Sequence, residues 1–64
     1  MTDVAARETW RERARAVGLP LWRLAIATGV SPATVAAYAN GARRPNDAWL
    51  ERADAVLRER EVAA

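Results

Sequence analysis

Apolar positions recur along the chain at spacings of three and four, a period that predicts helices rather than strands. From roughly Val4 to Val17, residues Ala6, Trp10, Ala14 and Val17 form one narrow apolar stripe, and Gly18 ends the run. Thr2 or Asp3 is placed to cap its start, with Asp3–Arg7 and Glu8–Arg11 as intrahelical pairs. A second stretch, Pro20 to Thr28, opens with proline in a first-turn position and closes at Gly29. The third begins at Ser31–Pro32, where serine is a good N-cap and proline is preorganised for the first helical position. It stops at Asn40–Gly41. The fourth follows Pro45, with Asn46 or Asp47 as cap, and Trp49, Leu50, Ala53, Val56 and Leu57 make a broad apolar face. Fraying is expected beyond Arg60, leaving about 59–64 as a loose tail.

Two short helices separated by a tight glycine-containing turn predict a helix-turn-helix over about residues 20–41. Ala25 is small where the third helix crosses the second, and Gly29 permits positive φ in the turn. Val30, Val35 and Tyr38 supply apolar contacts back onto Leu24 and the first helix. No internal repeat, linker or low-complexity segment argues for a second unit. The expectation is one all-α domain of four helices, or five, over residues 1–64.

Composition sharpens this picture. Hydrophobic residues make up 52% of the 64, but 16 are alanine and none is phenylalanine, so the apolar fraction supplies little bulk. Helix is the structure such a chain favours, around a thin core that most enzyme scaffolds exceed. Without Cys or His there is no disulfide, thiol nucleophile or imidazole base, and no metal site, catalytic residue or cofactor is expected. No apolar run is long enough to span a membrane, and Met1-Thr2-Asp3 lacks a signal pattern, which predicts a cytoplasmic protein.

Charge points in one direction only when read locally. The pI near 10.4 reflects the use of Arg for every base, since the net charge is only +2, from ten Arg against eight acids. Residues 31–45 hold Arg43 and Arg44 with no acid, while 46–64 hold three Arg and five acids, a net of −2. The positive part is therefore the helix-turn-helix half. Arg43 and Arg44 are candidates for phosphate contact, as are, less distinctly, Arg11, Arg15 and Arg23.

The stretch from Gly18 to Leu57 resembles the helix-turn-helix domain of the Cro and lambda-repressor (XRE) family. The likeness is strongest over GVSPATVAAYANGARRP, Gly29 to Pro45, and rests on Gly29, Val30, Ser31, Thr34, Val35, Gly41, Arg43, Arg44 and Pro45. It implies a lambda-repressor-like domain that binds double-stranded DNA with the third helix in the major groove. Carried over by position, Ser31 meets phosphate, Pro32, Ala33 and Ala37 face bases, and Thr34 and Ala36 lie near the groove wall. Asn40 contributes to the same face, and Arg43 and Arg44 follow the backbone or a groove edge. A Cro-like, phage-encoded repressor acting by operator occupancy is the implied function, and a homodimer the implied assembly.

Three departures from the family pattern qualify that expectation. The base-facing positions hold Pro and Ala, which offer no hydrogen bond to a base edge, so discrimination falls to thymine methyls, Asn40, arginine and DNA shape. Pro20 and Leu21 stand where a Ser or Thr and a Gln are usual. Trp22 and Ile26, one turn apart, occupy a normally polar face, where they either form a protein contact or fold over the first helix. Ala14 and Ala39 stand where an Arg and a Glu are often paired, so both partners of that pair are absent together. The alternative expectation is a protein-interaction module that engages another regulator or a host protein through Trp22 and Ile26.

Overall fold

The computed structural model describes residues 9–63, which form four helices and no strand. These are α1 (Trp10–Ala16), α2 (Leu21–Thr28), α3 (Pro32–Asn40) and α4 (Asp47–Ala63). The predicted start near Val4, its caps Thr2 and Asp3, the stripe position Ala6, and the pairs Asp3–Arg7 and Glu8–Arg11 lie outside the described residues.

Each boundary has a local cause. After α1 the chain turns through Gly18 at φ 72°, and the Leu19 amide reaches back to the Ala14 carbonyl at 2.8 Å. The same closure ends α2: Gly29 takes φ 79°, and the Val30 amide bonds the Ala25 carbonyl at 3.1 Å. Pro20 is not in the first turn of α2, as the sequence predicted, but one step outside it. Its extended ψ of 152° makes it the N-cap residue, with a carbonyl that accepts from Arg23 and Leu24, both at 3.1 Å. Ser31 caps α3 and Pro32 begins it, as expected. Of the two candidate caps for α4, Asn46 does the work, its Oδ1 accepting from the Trp49 amide at 2.7 Å.

The core gathers around Trp49, which is fully buried with Leu24, Ala25, Val35, Ala53 and Leu57. Trp10 meets its ring edge-on at 4.9 Å between centroids, and Tyr38 lies tilted at 4.9 Å on another side. The stripe of α1 is buried at Trp10 and Ala14 and half-buried at Val17, matching the predicted face. Leu50 and Val56 border the core from α4, and Val30 and Tyr38 from the turn and α3.

Polar side chains fasten this thin core at two places. Thr28, only 4% exposed, donates to the Leu24 carbonyl at 2.7 Å and accepts from the Trp49 indole N–H at 2.9 Å. Arg52 donates from Nε to the Thr28 carbonyl at 3.1 Å, placing a cation at the C-terminus of α2. At the other place Arg13 grips Glu61 through two bonds, of 2.8 and 3.0 Å, and Asp54 through a third of 2.7 Å. Donating to the Glu61 carboxylate raises the Arg13 pKa above its ordinary value, against the opposing effect of burial. The hydrogen bonds from Arg13 hold the Glu61 carboxyl below its ordinary value. Helix α4 runs through Ala63, past the Arg60 at which fraying was expected, with Glu61 tied to α1 by this bridge.

Candidate nucleic-acid interface

Helix α3 packs along α2, burying Val35 and turning Tyr38 onto Trp49. That leaves the opposite side of α3 open. Pro32, Ala33, Ala36 and Asn40 are exposed, while Thr34 and Ala37 are half-buried beside them. The sequence-predicted residues from Ser31 to Asn40 therefore share one helix and its cap, and Arg43 and Arg44 follow as an exposed segment beyond Gly41.

The hydrogen-bonding capacity of this face is small and one-sided. Ser31 Oγ accepts from the Thr34 amide at 3.1 Å and shares a hydrogen bond with Thr34 Oγ1 at 2.8 Å. Pro32 has no N–H, so the first turn offers an outside anion the Ala33 amide and whichever hydroxyl proton of the Ser31–Thr34 pair is not shared between them. Asn40 Oδ1 takes the Ala42 amide at 2.9 Å, which leaves the side-chain NH2 as its donor to a ligand. Among the described residues, the face of α3 itself thus carries methyls, hydroxyls and one amide and no carboxylate.

Electrostatics agrees with that inventory. No acidic residue occurs between Glu12 and Asp47, an interval that holds Arg13, Arg15, Arg23, Arg43 and Arg44. Arg13 is engaged by Asp54 and Glu61, and Arg23 lies over the Trp22 ring at 5.2 Å. Arg43 and Arg44 are exposed and have no ion pair among the described residues.

Arg11 has a different placement: its Nη1 donates to the carbonyl of Ala39, in the last turn of α3. Ala14 is buried as an ordinary core residue. A cleft of about 530 Å³ opens between the start of α1, the end of α3 and the start of α4, with Trp10, Arg11, Asn40, Arg44 and Asp47 on its walls. Among the described residues Asp47 is the one carboxylate there, and no three potential metal ligands come together.

Trp22 and Ile26 stand out from α2 at 51% and 68% exposure. Trp22 does not fold over the first helix. The ring instead carries the Arg23 guanidinium at 5.2 Å.

The side-chain links from Arg13 to Glu61, Trp49 to Thr28 and Arg11 to Ala39 were not foreseen, since their partners lie 48, 21 and 28 residues apart. Helical periodicity carries no signal at such separations. The search of protein-family models, of curated proteins and of solved structures found no match to this chain. Among the described residues, no helix is long and apolar enough to cross a membrane.

Proposed function

We propose that this chain is a small DNA-binding regulator with a lambda-repressor-like helix-turn-helix, in which α2 and α3 flank the turn and α3 enters the major groove. The observation that carries the reading is the exposed, carboxylate-free face of α3, continued by Arg43 and Arg44, which have no ion pair among the described residues. Phosphate supplies most of the affinity through those arginines and the first turn of α3. Pro32, Ala33, Ala36 and Ala37 fit against the groove without hydrogen-bonding it, so specificity is partial. Function follows from occupancy of an operator, in the cytoplasm and as a homodimer on paired half-sites. Neither a cofactor nor a catalytic residue has a part in it.

Selection on a random double-stranded library, followed by anisotropy titration of the enriched sequences, tests this directly. Enrichment of a motif repeated about one helical turn apart is the expected outcome. Absence of enrichment, together with no binding at low salt, would refute it.

A second reading is favoured by the exposure of Trp22 and Ile26 one turn apart on α2. In it the domain docks another regulator or a host protein through that apolar pair. Retention of a protein partner lost in Trp22→Ala, with no enriched DNA motif, is the result that would prefer it.

A further inference from the structure

The C-terminal end of α3 is held to the rest of the fold by side chains, Tyr38 among them, whose ring lies against Trp49. This helix lies along α2, while its backbone makes no extended approach to α1 or α4. Its last turn contains no basic residue, so nothing in its own sequence offsets the negative end of its dipole. Of the orphan carbonyls there, Ala37 is satisfied by the Arg43 amide at 3.2 Å. Ala39 is satisfied from outside the helix, by the Arg11 guanidinium.

That contact crosses open space. Two clefts, of about 530 and 320 Å³, separate α1 from the end of α3, and Arg11 and Ala39 line both. The side chain is therefore a strut across a groove that the described residues leave unfilled. A guanidinium is suited to the task because it keeps its charge at every relevant pH and bonds through a planar array of donors.

We propose that Arg11 is a positioning residue for α3, anchoring and neutralising the helix's C-terminal end from α1 so that the Arg43–Arg44 segment is held in place for its ligand. An anion-binding role for Arg11 at this spot is the poorer alternative, because its guanidinium is already engaged by the Ala39 carbonyl. The strut itself does not depend on DNA being the ligand, whereas its effect on affinity rests on the proposed function.

Amide exchange by NMR on the full chain tests the strut without DNA. In Arg11→Ala the Arg43 amide, which closes the end of α3, should exchange about two- to fivefold faster relative to the Val30 amide, the range a helix-terminal cation supports. Arg11→Lys, which keeps the charge, should restore most of the protection. In anisotropy titrations Arg11→Ala should bind a DNA duplex about two- to fivefold more weakly, with the slope of log affinity against log salt unchanged. Unaltered exchange at Arg43 would overturn the proposal, and so would a slope lowered by about one, the mark of a direct phosphate contact. If the wild-type chain binds no DNA, the functional reading fails and the exchange result still decides the strut.

Discussion

Replacing Thr28 by valine should destabilise this protein far more than the small change in atoms suggests. The two side chains are nearly equal in shape, so neither a cavity nor a clash accompanies the substitution. What is lost is the hydroxyl that accepts the Trp49 indole N–H at 2.9 Å, and Trp49 is fully buried. The Leu24 carbonyl retains its helical amide partner, so the indole N–H is the group left stranded. Leaving one buried donor without a partner costs about 1–3 kcal/mol. A domain of this length has about 3–10 kcal/mol of total stability. A loss near 2 kcal/mol therefore lowers Tm by about 8–16 °C, followed by far-ultraviolet circular dichroism. A double-mutant cycle with Trp49→Phe isolates the cause, because Thr28→Val should cost less than about 1 kcal/mol once the indole donor is gone. A Thr28→Val protein melting within about 2 °C of wild type would refute this account of the core.

Other parts of the molecule give equally definite expectations. Arg43→Ala and Arg44→Ala should each reduce the slope of log DNA affinity against log salt by about one, read by anisotropy, and unchanged slopes would remove them from the interface. Ile26→Ala should leave unfolding free energy within about 0.5 kcal/mol of wild type in urea titrations, since its side chain is already largely in water. Glu61 has a lowered pKa in the folded state, so its contribution is present above the ordinary glutamate value of about 4.3 and is lost as pH falls through the lowered one. Glu61→Gln should abolish that part of the acid-induced loss of stability measured by thermal melts between neutral and strongly acidic pH.

Elements dictated by local chemistry were legible in the sequence. Gly18, Gly29 and Gly41 mark helix ends because each takes a positive φ that other residues resist, and Ser31–Pro32 marks a helix start by cap and ring geometry. The core stripe of α4 was equally plain, since burial imposes its period on Trp49, Ala53 and Leu57. Pro20 lies one residue earlier than expected because the φ that its ring fixes is compatible with both the N-cap and the first turn, and only ψ separates the two. For Trp22 the sequence left exposure and burial open, as a single helical face does not reveal what covers it. In the candidate site, exposure of Pro32, Ala33, Ala36 and Asn40 follows from helical phase once Val35 is inward. The commitment of Asn40 Oδ1 to Ala42 does not, because it depends on the path of the loop after Gly41.

The three tryptophans fall into two environments, with Trp10 and Trp49 in edge-to-face contact inside the core and Trp22 half in water. The chain consequently contains two optical reporters. Emission from the inner pair is shielded from a water-soluble quencher and changes when the core opens, whereas emission from Trp22 is quenchable in the folded state and shifts when α2 is covered. One unlabelled sample can then distinguish unfolding from docking on α2, with Trp22→Phe supplying the spectrum of the inner pair alone.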